Sequence, residues 1–329
     1  MTTPVHGFVL GKFMPPHAGH MYLCDFAAGL CDQLTILVCS LEREPIPGKL
    51  RHEWMSALYP DARVLHFDRD VPQEPSESPD FWDIWRELVR SVHPEPIHRV
   101  FASEDYGLRL AQELGAEFWP ADPERACRPV SGTQIRQAPM AHWSMIAPPA
   151  RPYFTRTIVL HGPESTGKSM LGQDLARALG GAYAPEFGRT WCELYGTDCS
   201  AEDLRNIAAG QAAAIQAARR TADGFVISDT DGLLTEVWSQ MMLGASVFDP
   251  SPEPEGDLYL LTDIDQPFVD DGTRVYSDPA DRERFFALSV EALERQGVDY
   301  VRLSGSWEHR RVVALDAISR RFPHLIRQA

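Results

Sequence analysis

The chain has 329 residues, of which 44% are hydrophobic and 24% charged. That length suits two domains rather than one, and the composition excludes wholesale disorder. The formal net charge is −16, which excludes nucleic-acid or anionic-membrane binding through the general field, so any phosphorylated ligand has to be met by positive charge concentrated locally.

The 31 basic residues are 28 Arg and three Lys: Lys12, Lys49 and Lys168. A compact ammonium and a planar guanidinium are not interchangeable, so the surroundings of those three lysines are informative. No run of 18 apolar residues occurs, and no membrane-spanning helix is expected. The first 13 residues lack a basic stretch followed by an apolar one, so no signal peptide is expected either. Six cysteines, Cys24, Cys31, Cys39, Cys127, Cys192 and Cys199, form no C-x-x-C pair. They read as reduced thiols of a cytoplasmic protein.

In chain order, an apolar strand over residues 7–10 runs into Gly11-Lys12-Phe13-Met14-Pro15-Pro16-His17-Ala18-Gly19-His20. Strands follow at 34–39, 63–67 and 99–102, with helices over 20–30 and 81–92 between them. A second strand, 157–161, runs into another glycine turn, Gly162 to Ser169. Strands at 225–228, 258–262 and 300–303 and helices over 168–179, 201–221 and 281–296 complete that half. Alternating β and α elements predict two parallel sheets wrapped by helices. Ala147-Pro148-Pro149-Ala150-Arg151-Pro152 is a stiff connector, and the join is placed after residue 148, giving domains 1–148 and 149–329. The Pro/acidic stretches 71–80 and 249–256 read as surface loops.

Gly162-Pro163-Glu164-Ser165-Thr166-Gly167-Lys168-Ser169 fits G-x-x-x-x-G-K-[ST] in full. The glycines let backbone N–H groups turn toward phosphate oxygens, Lys168 reaches the β- and γ-phosphates of ATP, and the Ser169 hydroxyl ligates Mg²⁺. The strand 225–228 ends in Ser228-Asp229-Thr230-Asp231. Asp229, ending the apolar run, is the better Mg²⁺ partner. Asp231 either faces the acceptor or caps the helix that follows. Glu186 and Arg189, after the P-loop helix, are placed to reach the acceptor, with Glu186 orienting or deprotonating a hydroxyl. Arg274, in Asp270-Asp271-Gly272-Thr273-Arg274, is a candidate to close over the transferring phosphoryl group.

In the first half, His17-Ala18-Gly19-His20 opens a helix after a Lys-bearing turn, and both imidazoles can reach one phosphate. No carboxylate or thiolate nearby completes a metal site. Ser131-Gly132-Thr133-Gln134-Ile135-Arg136 offers hydroxyls and a guanidinium to a polyphosphate.

The pair HxGH and S-x-T-x-x-R, more than 100 residues apart, resembles the nucleotidylyltransferase superfamily, which has a Rossmann-like doubly wound sheet. An adenylyltransferase half followed by a P-loop kinase half resembles the NadR-type family of bifunctional nicotinamide-mononucleotide adenylyltransferases and ribosylnicotinamide kinases. The likeness rests on Gly11 to His20, Phe81-Trp82-Asp83-Ile84-Trp85, Asp122-Pro123-Glu124-Arg125, Val130 to Arg136, the P-loop, Glu186-Phe187-Gly188-Arg189, Asp229-Thr230-Asp231 and Val269 to Arg274.

The resemblance implies two steps. The second half phosphorylates nicotinamide riboside to NMN with ATP, and the first joins NMN to the AMP part of ATP, giving NAD and pyrophosphate. It implies that His17 and His20 stabilise phosphate charge and that Gly11, Lys12, Phe13, Gly19, Ser131 and Thr133 contribute to the ATP site. It further implies that Arg136 and Thr133 hold the pyrophosphate side, while Glu186, Arg189 and Asp231 face the riboside. Trp82, in preference to Trp85, would stack on the cationic nicotinamide ring. Some family members carry an N-terminal helix-turn-helix domain and repress transcription. Here the first catalytic strand begins by residue 7, so no such domain and no DNA binding are expected. A different nucleoside and phosphate ester, or an ATP- or NAD-sensing protein with one silent site, are the alternatives. Oligomeric state, a homo-oligomer included, stays open, and Lys49 has no role beyond a solvated helix start.

Overall fold

The computed structural model describes residues 4–269 and 274–326. Asp270, Asp271, Gly272 and Thr273, part of the segment singled out above, lie outside the described residues. The chain divides into two compact units, Met1–Ala150 and Arg151–Ala329, a join two residues beyond the one expected. Pro148–Ala150 is a 3₁₀ turn in which Ala150 N–H donates to Ala147 O at 2.9 Å, so it belongs to the first unit.

Unit 1 runs β1 (His6–Gly11), α1 (Ala18–Ala28), β2 (Gln33–Cys39), α2 (Gly48–Leu58), β3 (Arg63–Phe67), α3 (Phe81–Val92), β4 (Arg99–Ala102), α4 (Tyr106–Leu114), β5 (Glu117–Pro120) and α5 (Gly132–Gln137). Its sheet is wholly parallel, in the order β3-β2-β1-β4-β5. Successive strand residues face opposite layers. Phe8, Leu37 and Val100 pack with Trp85, Val89 and Leu110 on one face, while Val9, Ile36, Val38 and Phe101 pack with Leu23, Cys24 and Met55 on the other. Burying each such Leu or Phe contributes roughly 1.5–3 kcal/mol, so a strand apolar on both faces is held from both sides.

Unit 2 runs α6 (Arg151–Phe154), β6 (Arg156–His161), α7 (Lys168–Leu179), β7 (Ala182–Ala184), α8 (Phe187–Tyr195), α9 (Ala201–Thr221), β8 (Phe225–Ser228), α10 (Gly232–Leu243), β9 (Leu258–Thr262), α11 (Pro279–Gln296), β10 (Tyr300–Leu303) and α12 (Trp307–Arg321). Its sheet is also parallel, in the order β10-β9-β6-β8-β7. The helix starts carry their own signals. Ser200 and Asp203 form a capping box on α9, and Asp278 caps α11 ahead of Pro279.

Every strand read from the sequence is present, and two edge strands, β5 and β7, add to them. β7 has three residues and β5 ends in Pro120, so neither shows an apolar run long enough to register. In both sheets the first strand lies at the centre, and later strands go to either side of it. The chain reverses direction at its C-terminal end, which is where ligands of open α/β sheets bind. The turn after β1 and the turn after β6 both start there. All six cysteines are free thiols, and among the described residues no helix is long and apolar enough to cross a membrane.

Candidate active sites

In unit 1 the turn after β1 frames a cavity of about 790 Å³. His17 is its pivot. It caps α1 with an extended backbone, and its Nδ1 accepts a hydrogen bond from Gly19 N at 3.1 Å, which leaves the proton on Nε2. His17 also forms an antiparallel bridge to Ile146, and Pro16 O accepts from Ala147 N at 3.1 Å, so the end of the unit clasps the turn. A side chain at Gly19 would begin 3.1 Å from the His17 ring, which makes glycine the residue that fits.

The His17 and His20 rings stack at 3.7 Å, with Phe13 against His20 at 4.9 Å. Burial, then the charge of Arg125, lowers the His17 pKa to about 4. Burial, then His17 and Arg125, hold His20 well below the ordinary histidine value. Both imidazoles are therefore neutral at neutral pH, each with a single N–H, and the His20 ring also bonds the Pro15 backbone.

Around them stand cations. Arg136, on α5, donates from Nη1 to Met14 O at 2.5 Å and from Nη2 to Thr133 Oγ1 at 3.1 Å. Lys12 pairs with Glu44 at 2.9 Å. Arg125 and Arg128 also line the cavity. Arg125 is anchored to Glu104 at 2.9 Å, on a loop whose Ala126 and Cys127 N–H groups donate to the Asp122 carboxylate at 2.9 and 3.0 Å. Trp82, half-buried, and Trp85 both line the cavity. Trp85 is buried, with its Nε1 donating to Pro72 O at 2.9 Å.

In unit 2 the P-loop and the ends of β7 and β8 frame a smaller cavity of about 190 Å³, lined among others by Lys168, Ser169, Glu186, Arg189, Thr230 and Arg274. Gly162 and Gly167 have φ of +121° and +85°, the left-handed region that glycine adopts freely. Lys168 Nζ donates to Gly162 O at 2.9 Å and Pro163 O at 2.7 Å. Burial lowers the Lys168 pKa, opposed by Glu186, Asp229 and Glu164. Thr166 Oγ1 donates to Pro163 O at 2.8 Å and meets Thr262 Oγ1 at 2.7 Å, so its side chain braces the loop.

Asp229 sits at the end of β8, 2% exposed. Its Oδ2 accepts from Tyr183 OH at 2.8 Å, while its buried Oδ1 has no hydrogen-bond partner among the described residues. A buried carboxylate oxygen left over at the end of β8, with Tyr183 interacting with both Asp229 and Ser169, fits Mg²⁺, which takes few protein ligands and keeps several waters. Glu186, the N-cap residue of α8, has its pKa raised by burial, with Lys168 pulling it down and Asp229 pushing it up. Arg189 lies 4.0 Å from it.

The segment beyond β9 is fastened to the loop. Ser165 Oγ accepts from Val269 N at 2.7 Å and from Arg274 Nη1 at 2.9 Å. Glu164 Oε1 accepts from Val275 N at 2.8 Å.

The model of the AAA domain family matches residues 157–310, the P-loop unit. The trifunctional NAD biosynthesis/regulator protein NadR of Escherichia coli (strain K12) is 30% identical over 324 residues, covering 90% of this chain and 78% of that protein. The chain belongs to the NadR family. A nicotinamide-nucleotide adenylyltransferase of Methanospirillum hungatei is 30% identical over 151 residues, covering 44% of this chain and 84% of that protein. Among solved structures, a NadR protein in complex with NAD and AMP-PNP superposes with a TM-score of 0.77 at 22% identity, covering 99% of this chain and 98% of that one, a likeness of fold.

Within this NadR-family chain, most residues singled out from sequence line one of the two cavities. Gly11, Lys12, Phe13, His17, Gly19, His20, Trp82, Ser131, Thr133 and Arg136 line the first cavity. Glu164, Ser165, Gly167, Lys168, Ser169, Glu186, Arg189 and Arg274 line the second. Two assignments change. Asp231 does not face the acceptor. It is fully buried, its Oδ1 caps Leu233 N at 3.1 Å and its Oδ2 accepts from Tyr259 OH at 2.5 Å. Ser131 lines its cavity, but its hydroxyl is engaged in a capping box with Gln134, at 3.3 Å to the backbone N–H and 3.0 Å to Oε1. In both, helix capping takes the polar group that a ligand would have used.

Several residues were not visible as site residues in the sequence. Buried Arg51 donates to Lys12 O at 2.8 Å and to Glu44 Oε2 at 2.6 Å. Burial pushes the Glu44 carboxyl up, but the Leu41 N–H, Lys12 and Arg51 hold it below its usual value. Arg51 and Glu44 thus fix the Lys12 turn. Their separation from Lys12 in sequence gives no signal. Lys49, two residues before Arg51, is exposed and 4.0 Å from Glu53, a solvated helix start. Cys192 and Cys199, with sulfurs 3.7 Å apart, and Trp238 line the second cavity; burial pushes the Cys192 thiol up to about 12.

Proposed function

We propose that this chain makes NAD in two steps. The P-loop unit phosphorylates nicotinamide riboside to NMN with ATP, and the HxGH unit adenylylates NMN with a second ATP, giving NAD and pyrophosphate. One observation supports this above the rest: two phosphate-handling turns, each at the reversal point of its own parallel sheet, lie in a chain aligned over nine-tenths of its length with a NAD biosynthesis protein.

In the kinase step a riboside hydroxyl oxygen attacks the γ-phosphorus of ATP and the bond to the β-bridging oxygen breaks. Glu186 takes the hydroxyl proton or holds the hydroxyl in line. Lys168, the loop amides and Arg274 take up charge on the transferring group. Asp229 and Ser169 are the residues that would hold Mg²⁺, which supplies charge neutralisation on the ATP phosphates.

In the adenylyl step an NMN phosphate oxygen attacks the α-phosphorus and pyrophosphate leaves. No base is needed, because the nucleophile is already an anion. Arg136 with Thr133 meets the leaving pyrophosphate, and His17 and His20 donate neutral N–H groups to the phosphates. Trp82 offers a face to the nicotinamide ring. Six free thiols support a cytoplasmic reading. The net charge of −16 supports the absence of DNA binding; a specific gel shift overturns that part.

The direct test is a time course with ATP, Mg²⁺ and nicotinamide riboside, followed by mass spectrometry. NMN followed by NAD is expected. ATP binding with neither product overturns the proposal.

A further inference from the structure

The P-loop of unit 2 has two sides. On one side Lys168, Ser169 and Glu186 face the acceptor cavity, which Gly167 also lines. Trp307, which does not line that cavity, stands against the loop at Gly167. A Cβ built on Gly167 would lie 2.5 Å from Trp307 Cζ3 and 3.1 Å from Cη2, so the benzo edge of the indole rests on the glycine's bare α-carbon. The residue as a whole is 37% exposed.

The turn that carries this ring is firmly held. Ser306 caps α12. Arg310, fully buried one helical turn later, donates to Gly305 O at 3.2 Å, to Thr166 O at 3.0 Å and to Asp263 O at 3.1 Å, and pairs with Asp265. One guanidinium thus joins the P-loop, the end of β9 and the start of α12. An exposed aromatic ring fixed in this way is a surface rather than a core contact.

The direction of a nucleotide in a P-loop says what that surface meets. Lys168 takes the β- and γ-phosphates, with the γ toward the acceptor, and the amides opening α7 take the phosphates behind it. The nucleoside hangs from the α-phosphate, at the opposite end of the phosphate chain from the acceptor. We propose that Trp307 is the stacking face for the base of the phosphoryl-donor nucleotide, a purine nucleoside triphosphate, and that Arg310 is the positioning residue that holds this face against the loop. A π-face favours the larger purine without reading its edges.

The inference rests on the kinase reading above. With riboside and Mg²⁺ saturating, Trp307→Ala raises the KM for ATP by about tenfold, as loss of one base stack does, leaves kcat within about twofold, and narrows the preference for ATP over CTP. Trp307→Phe keeps a π-face and stays near the parent, whereas Trp307→Met, similar in reach but without one, behaves like Ala. Arg310→Lys raises the same KM in the parent chain and adds little in the Trp307→Ala background, a coupling that separates positioning from a general loss of stability. An ATP KM that is equal in the Phe and Met variants overturns the inference. If the parent chain forms no NMN, the kinase reading fails instead. The inference is then decided by ADP titration of the full chain with NAD present to fill the other site: about tenfold weaker ADP binding by Trp307→Met supports it, and unchanged binding overturns it.

Discussion

In unit 1 the turn after β1 presents two stacked, neutral imidazoles to a cavity edged with Arg125, Arg128, Arg136 and Lys12. In unit 2 the turn after β6 presents one buried ammonium, with Glu186 and Asp229 close enough to act on its charge. Both turns follow the central strand of a parallel sheet and both open a helix, so topology alone does not separate them. What separates them is the acceptor. A phosphate acceptor is an anion, and a carboxylate beside it would repel it. A hydroxyl acceptor has a proton to lose and needs a group to take or hold it. The first cavity also has Glu74, Glu104, Asp105 and Asp122 in its walls, with Glu104 paired to Arg125 and Asp122 turned to its own loop amides, so the contrast lies in the groups at each turn: imidazoles in one, an ammonium with carboxylates in the other.

The largest effect expected from breaking this comparison is at Lys168. Replacing it with Met removes the ammonium that meets the γ-phosphate, and NMN formation from riboside falls by about 10³-fold or more. NAD formation from supplied NMN, assayed in the same preparation, stays near the parent rate. Loss of both steps would show that the two sites do not act separately.

Next comes His20→Ala, which lowers NAD formation from NMN by about 10²–10³-fold and lets riboside phosphorylation proceed, so that NMN accumulates. The account requires neutral donors. The depressed pKa values predict that the His17 and His20 imidazole resonances in an NMR titration stay in the neutral form until well below pH 6.5, with His17 turning near about 4. Titration of both rings at the ordinary value would show that burial does not depress them and would leave a fraction of imidazolium at neutral pH.

Glu186→Gln tests the other half, with a loss in kinase kcat on the order of 10². Burial raises the Glu186 pKa, so the active carboxylate form is present above that raised value and is lost as pH falls through it. The parent kcat therefore drops on the acid side at a pH above the ordinary glutamate range, and the Gln variant lacks that limb. The same acid limb in both proteins would remove Glu186 from proton transfer.

Much of this was legible in the sequence because the chemistry sits in contiguous motifs. Gly162 to Ser169 and His17 to His20 are each written within one turn, and the flanking strands show as apolar runs buried on both faces. The supporting residues were not legible. Arg51 reaches Lys12 across 39 positions, and Arg310 reaches Thr166 across 144. A buried arginine with carbonyl partners looks in sequence like any surface arginine. Nor does sequence distinguish a carboxylate or hydroxyl aimed at a ligand from one turned back on its own helix. Asp229 and Asp231 are two residues apart on one motif. Only the fold shows that the first keeps a buried oxygen without a partner among the described residues while both oxygens of the second are taken.

The smallest effect concerns the same ambiguity at Ser131. If its hydroxyl touched the nucleotide, Ser131→Ala would raise the KM for ATP in NAD formation. The capping box assigns it instead to the start of α5, where it accepts from Gln134 N and where loss of a cap costs about 1 kcal/mol. In a unit of this size that lowers the Tm by roughly 2–4 °C. Since α5 also carries Arg136 and Thr133, the KM for ATP and the rate should shift together and only slightly. Ser131→Asn, another capping side chain, should recover both. A KM raised tenfold with Tm unchanged would return Ser131 to the phosphates, and would mean that unit 1, like unit 2, binds its nucleotide with a hydroxyl at a helix start.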